Sequence, residues 1–227
     1  MTFILVPGAG GMAWYWSRVA PLLREAGREA IAVELPGDDE RAGLAAYADI
    51  VVREIADRDK VILVAQSLAG FTAPLVCARA PVRALVFVNA MIPEPGETAG
   101  EWWGATGAVE AREQAAACGG YTKIFDAATY LLHDVPQKVL RTGPERPREE
   151  AEIVFGQPCE FERWPDIPVH VLVGRDDRFF PIEFQRRVAR QRLGKEVEEI
   201  PGGHLVALSN PEGLTKRLLF YAKTLTI

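Results

Sequence analysis

VILVAQSLAG, residues 61–70, is a run of apolar β-formers that breaks at Gln66-Ser67 and resumes as small residues. A buried strand that ends on a hydroxyl calls for a reason. One is a sharp strand-to-helix turn, written G-x-S-x-G, that lifts a serine Oγ above the carboxyl edge of a parallel sheet. Here the flanking positions are Ala65 and Ala69, with Gly70 behind them. Small residues let strand and helix pass closely while the serine sits at a strained positive φ, and alanine meets that need at modest steric cost. The other reason is a helix cap, in which the Ser67 hydroxyl accepts from an orphan amide of the helix beginning at Leu68. The stretch alone supports both.

Outward from this turn, short apolar runs at residues 3–6, 30–35, 61–65, 82–88, 169–173 and, more weakly, 197–200 alternate with helical spacing. The helical stretches cover residues 14–26, 43–56, 68–80, 181–193 and 211–224, and Gly27 and Pro81 stand as stop signals. This alternation predicts βαβ units forming a parallel sheet covered on both faces. Pro74 falls inside the third helix, where it removes an internal hydrogen bond and predicts a kink.

The rhythm fails over residues 91–165, where glycine and proline recur and residues 141–152 are densely charged. An insertion there sits at the sheet edge where open α/β proteins bind ligands, which predicts a small helical cap on a single domain spanning residues 1–227. Most of its aromatics are expected in the cap core and some on an apolar cavity. Trp102, Trp103, Phe125 and Tyr130 are the candidates for substrate contact.

At 227 residues, 48% hydrophobic and 25% charged, the chain suits one soluble α/β domain. A net charge of -5 with acids and bases interspersed argues against a nucleic-acid or anionic-membrane surface. The expected partner is a small neutral or weakly charged molecule; composition carries no signal for oligomeric state. Phe3-Ile4-Leu5-Val6 follows Met1-Thr2 without a basic region and is too short to be a signal core or a membrane span, so a cytoplasmic protein is expected. Cys77, Cys118 and Cys159 contain no C-x-x-C spacing, which predicts neither a disulfide framework nor a metal site. Cys77 is expected to be a small core residue.

After the first strand comes Pro7-Gly8-Ala9-Gly10-Gly11-Met12-Ala13. Read as G-x-G-x-x-A with Glu34 closing the second strand, it matches a dinucleotide fingerprint and raises an oxidoreductase alternative. No tyrosine has a lysine four residues on, as a short-chain dehydrogenase would. The same turn can instead expose a backbone N–H toward developing negative charge, pairing with the amide after a nucleophile. Ala9 and Leu68 are the candidate oxyanion donors, and no cofactor or metal is required.

A serine hydroxyl needs an imidazole to take its proton, and the chain has three histidines. His170 lies inside a predicted strand and His133 in the insertion. His204, in Pro201-Gly202-Gly203-His204, follows the last strand, where a loop side chain can reach the sheet edge. The imidazole in turn needs a carboxylate, and Asp176-Asp177 follow the fifth strand in GRDDRFFP, residues 174–181. Either acid can serve, and either can cap the next helix. The order Ser67, then Asp176 or Asp177, then His204 is that of the α/β-hydrolases.

With these residues in hand, the chain resembles the α/β-hydrolases, and more narrowly the branch of plant methylesterases and hydroxynitrile lyases. Gly8-Ala9 with Ala13-Trp14-Tyr15-Trp16 and Pro21-Leu22-Leu23 is similar to that branch's H-G-x-x-x-G-A-W-x-W…P-L-L opening. Gly174-x-x-Asp177 with Pro181 resembles its acid turn, and the resemblance therefore implies Asp177 over Asp176. It also implies six parallel strands in the order 2-1-3-4-5-6. Pro7 stands where the branch carries histidine, Ala9 where the lyases carry threonine, and Leu205 where they carry lysine. The resemblance thus implies a serine hydrolase cleaving a small apolar ester through an acyl-enzyme. C–C cleavage or lyase chemistry with the same triad, and ligand binding without catalysis, are the alternatives.

Overall fold

The computed structural model describes residues 1–225. Six strands, β1 (Thr2–Val6), β2 (Glu29–Ala32), β3 (Val61–Gln66), β4 (Val82–Val88), β5 (Val169–Gly174) and β6 (Glu198–Ile200), form one sheet in the order β2-β1-β3-β4-β5-β6. Every pairing is parallel, as the alternation of strand and helix runs predicts.

Strand periodicity distributes the core. Ile4, Val6, Val61, Leu63, Ala65, Leu85 and Phe87 face one side, with α2 (Leu44–Ile55), α3 (Ala69–Cys77) and α9 (Ile182–Leu193) packed there. Their chain neighbours Phe3, Leu5, Ile62, Val64, Ala84 and Val86 face the other, under α1 (Val19–Glu25) and α11 (Pro211–Thr224). Both faces of β1 and β3 are therefore apolar because both are buried, and a fully buried leucine or valine there contributes about 1.5–3 kcal/mol. Cys77 packs against the first face, and burial pushes its thiol up to about 12.

Three boundaries differ from the sequence reading. The apolar run at 30–35 leaves the sheet after Ala32, because Leu35 N–H is taken by the Gly11 carbonyl at 2.8 Å. The helical spacing at 14–26 is divided into a 3-10 turn over Ala13–Trp16 and the helix α1, with Gly27 closing it at φ 73°. The third helix is shorter than 68–80, and Pro74 lies within it; bonding continues from Ala78 N–H to the Pro74 carbonyl at 3.0 Å.

Between β4 and β5 the chain forms α4 (Ala99–Thr106), α5 (Ala108–Gly119), α6 (Ala127–Tyr130), α7 (Gln137–Leu140) and α8 (Glu152–Gly156). Thr98 starts α4 with a reciprocal cap: Glu101 N–H donates to Thr98 Oγ1 at 3.1 Å and Thr98 N–H to Glu101 Oε2 at 3.0 Å. The segment is bound to α9 by the buried ion pair Arg192–Glu97 and by Arg187 donating to the Thr106 carbonyl at 2.6 Å. A short helix, α10 (Val206–Ser209), follows the His204 turn; Leu205 and Leu208 pack there against Val135 and Val139. No helix among the described residues is long and apolar enough to cross a membrane.

Candidate active site

The centre of the sheet's carboxyl edge is made by β3, β4 and β5. Ser67 follows β3 at φ 53°, a left-handed conformation that a serine adopts only under constraint. The constraint is backbone: Ser67 N–H donates to the Val88 carbonyl at 3.2 Å, and the Ser67 carbonyl accepts from Gly70 N–H at 3.1 Å and Met91 N–H at 3.0 Å. Gly70 is required by close approach, since a Cβ there would lie 1.7 Å from the Met91 carbonyl oxygen. The residue capping α3 is Leu68, with no side-chain cap bond. The Ser67 hydroxyl instead lies 3.0 Å from His204 Nε2.

His204 is 2% exposed and its Nδ1 lies 2.9 Å from Asp177 Oδ2. An ionised carboxylate only accepts, so Nδ1 carries the proton and Nε2 is left to accept from the Ser67 hydroxyl. Asp177 uses both oxygens, but it does not cap α9, whose cap position is Pro181 with no side-chain bond. Oδ1 accepts from the Phe179 and Phe180 amides at 2.8 and 2.9 Å, shaping the turn before α9, while Oδ2 faces His204 and, at 3.3 Å, Gln185 Nε2. Asp176 points away and accepts from Gly202 N–H at 3.1 Å, tying the acid turn to the histidine turn from outside.

Three residues not singled out in the sequence hold this group together. Asn89, fully buried at φ 45°, donates to the Gly203 and His204 carbonyls at 3.0 and 2.9 Å and accepts from Gly174 N–H at 2.7 Å. It joins the ends of β4 and β5 to the histidine turn. The Phe179 and Phe180 rings meet the His204 ring edge-on, with centroids 5.0 and 5.1 Å away. The available signal was position: Asn89 immediately follows β4, and the two phenylalanines follow the acid pair after Arg178.

The candidate contact residues of the insertion lie behind those rings. Trp102 is 1% exposed, donates to the Ile92 carbonyl at 3.0 Å and packs on Phe180. Trp103 and Phe125 both pack on Phe179, and Tyr130 is buried with its hydroxyl donating to the Thr122 carbonyl at 2.5 Å. None of the four lines the cavity of about 280 Å³ beside the histidine turn, which is walled by Met12, Trp14, Tyr15, Leu131, Leu140 and Leu205. Sequence spacing cannot separate these groups, because both are aromatic or aliphatic and both sit in short helices or turns.

Neither His133 nor His170 bonds Ser67 among the described residues, and His133 packs beside Gly203 at the histidine turn. His170 stacks on Tyr221 at 3.9 Å, and burial lowers its pKa against the pull of Glu198. Gly8 packs against the serine: a Cβ there would sit 2.7 Å from Ser67 Cβ. Among the described residues no group accepts from Ala9 N–H or Leu68 N–H. The fingerprint acid Glu34 is engaged otherwise, accepting from Ala13 N–H at 2.6 Å and pairing with Arg148 at 2.8 Å. The space over Gly10, where a pyrophosphate would have to lie, is filled by the Arg148 carbonyl, 2.4 Å from the position of a Cβ.

A sheet of this order, a strained serine on the β3 turn and an imidazole and carboxylate from later turns define an α/β-hydrolase. The model of the alpha/beta hydrolase family matches residues 3–217, and the chain belongs to that family. Methyl jasmonate esterase 1 of Vitis vinifera is 33% identical over 105 residues, which is 41% of this chain and 40% of that relative's length. An alpha-hydroxynitrile lyase of Arabidopsis thaliana is 25% identical over 244 residues, covering 93% of each. In three dimensions the chain is similar to a methylesterase of Arabidopsis, with a TM-score of 0.77 at 19% identity over 99% of both chains. The resemblance to plant methylesterases and hydroxynitrile lyases thus holds for the sequence.

Proposed function

We propose that this protein is a serine hydrolase that cleaves a small ester through an acyl-enzyme. The observation that carries the reading is the unbroken buried line from Ser67 Oγ to His204 Nε2, 3.0 Å, and from His204 Nδ1 to Asp177 Oδ2, 2.9 Å. His204 takes the hydroxyl proton as Ser67 Oγ bonds to the ester carbonyl carbon, and Asp177 stabilises the imidazolium. The carbonyl oxygen becomes an oxyanion held by the amides of Ala9 and Leu68, the latter at the N-terminal end of α3. Collapse breaks the C–O bond to the alcohol, which leaves with the proton from His204. Water, deprotonated by the same imidazole, then releases the acid and restores Ser67.

Residues 91–165 act in this reading as a cap on one domain of residues 1–227, and the apolar walls beside Leu205 favour an apolar acyl or alcohol group. Methyl jasmonate esterase 1 lends support to an ester substrate. Trp102, Trp103, Phe125 and Tyr130 shape the site from behind Phe179 and Phe180. Three free cysteines suit a reducing, cytoplasmic setting. A second chemistry, cyanohydrin cleavage, draws support from the lyase relative, but the buried Leu205 beside His204 supplies no charge for cyanide.

The test is Ser67→Ala. Wild type is expected to react with a fluorophosphonate probe and to hydrolyse p-nitrophenyl acetate, and the variant to lose labelling and about 10⁴-fold or more in turnover. Retention of both activities by the variant would sink the proposal. Turnover of mandelonitrile by wild type without ester hydrolysis would move it to lyase chemistry.

A further inference from the structure

The turn after β1 is held at both ends by side chains from elsewhere in the chain. Gly8 N–H donates to Gln66 Oε1 at 3.0 Å, and Gly10 N–H donates to Glu150 Oε2 at 2.6 Å. Ala9 N–H lies between these two tethered amides. Gly10 and Gly11 have φ of 80° and 67°, so the loop belongs to no ladder, and its internal support is the bond from Gly11 N–H to the Gly8 carbonyl at 3.0 Å.

Glu150 is itself anchored. Its Oε1 accepts from the Tyr47 hydroxyl of α2 at 2.6 Å. Burial, with the Glu150 carboxylate alongside, pushes the Tyr47 hydroxyl pKa up, which keeps it a donor. Arg148 on the same segment donates to the Leu35 carbonyl at 2.7 Å and reaches the Gly10 carbonyl at 3.4 Å, and Ala151 N–H donates to the Gly37 carbonyl at 2.7 Å. Residues 148–151 therefore lie as a strap across the turn, backbone against backbone. Burial raises the Glu150 pKa, and the two donors that converge on its carboxylate, one on each oxygen, partly offset that burial.

We propose, resting on the hydrolase reading above, that Glu150 is a positioning residue that aims the Ala9 amide at the oxyanion. It touches neither substrate nor reacting atoms. It fixes Gly10 N–H while Gln66, the residue before the nucleophile, fixes Gly8 N–H, so the amide between them is registered against Ser67 itself. Half of the oxyanion hole thereby depends on a residue of the segment between β4 and β5. The same contacts occupy Gly10 and Glu34, the residues of the dinucleotide-like pattern.

The experiment compares wild type, Glu150→Ala and Glu150→Gln with p-nitrophenyl acetate and with a trifluoromethyl ketone, which adds to Ser67 to give a tetrahedral oxyanion. Active sites are counted by fluorophosphonate labelling to completion. Misaiming one oxyanion donor costs less than its removal, which is worth about 10²–10³, so Glu150→Ala is expected to lower kcat per labelled site by about 10–100-fold. KM is expected to stay within about twofold, and ketone affinity to fall by the same factor as kcat/KM. Glu150→Gln, which keeps an acceptor for Gly10, is expected to retain most of the activity. Unchanged turnover and ketone affinity per site in Glu150→Ala would overturn the proposal, as would a loss wholly accounted for by fewer labelled sites. If Glu150→Ala does not fold, Glu150→Asp, one methylene shorter, takes its place with an expected loss of about 10-fold per site, and unchanged turnover there overturns the proposal equally. Wild type that fails to label would instead remove the hydrolase reading on which it rests.

Discussion

The turn at Ser67 is held by main-chain bonds to β4, to α3 and to the segment after β4, whereas the turn at Gly8–Gly11, besides its main-chain bonds within itself and to Leu35, is tethered by side chains arriving from Gln66 and Glu150. In the first, three main-chain bonds link Ser67 to Val88, Gly70 and Met91. In the second, tethers come from a neighbouring strand end and from a segment about 140 residues away in sequence. The difference teaches that Ser67 is placed by the sheet and the elements flanking it, while the turn carrying Ala9, the proposed oxyanion donor, is also tethered by residues 148–151 from outside the sheet.

The largest effect is expected on the sheet side. Asp177→Asn preserves an oxygen for the Phe179 and Phe180 amides but turns an NH₂ toward His204 Nδ1, forcing the tautomer that cannot accept from Ser67. Turnover is expected to fall about 10⁴-fold, with the thermal midpoint within a few degrees of wild type. A loss below about tenfold would mean that the carboxylate does not select the tautomer.

A paired measurement then sharpens the comparison itself. Gly70→Ala sets a Cβ 1.7 Å from the Met91 carbonyl in the core, and is expected to cost about 3 kcal/mol, or roughly 6–12 °C in Tm. Gly10→Ala strains a φ of 80° and meets the Arg148 carbonyl at 2.4 Å, but the strap can move outward. It is expected to cost about 1–2 kcal/mol in stability while lowering turnover about tenfold. Equal stability losses in the two variants would show that the glycine turn is as deeply built in as the serine turn.

The smallest effect concerns an exposed carboxylate with no part in either turn. Glu29, at the start of β2, is bonded by the Arg58 guanidinium and the Thr2 hydroxyl, which hold its carboxyl down at about 2. A depressed folded pKa stabilises above the unfolded value of about 4.3, and that contribution fades as pH falls through about 2. Solvent screening limits it to under about 1 kcal/mol. Glu29→Gln is expected to lower the urea midpoint at pH 7 and to converge on wild type near pH 2; an equal gap at both pH values would reject the linkage.

The sheet was legible because buried parallel strands must be apolar on both faces and must be joined by amphipathic helices. Residues 61–70 and 82–88 therefore announced themselves, and strand order followed from the resemblance. The boundary at Ala32 was not legible, since Val33 and Leu35 stay buried after leaving the ladder. Helical spacing likewise gave no sign that residues 14–26 would divide. Ser67 and His204 were legible by scarcity and by position at strand ends, whereas Asp176 and Asp177 were separated within the sequence by resemblance alone.

By itself, then, the sequence determined a parallel sheet with a serine, an acid pair and a histidine on three of its carboxyl-edge turns. Local rules suffice there, because periodicity and turn chemistry act over a few residues. Only the tertiary structure decided that Asp177 faces His204 while Asp176 braces Gly202, that Phe179 and Phe180 meet the imidazole, and that Asn89 and Glu150 hold the turns around it. Each of these is a contact between residues far apart in the chain, where a side chain's partner depends on which turn happens to lie opposite, and no pattern along the chain encodes that distance.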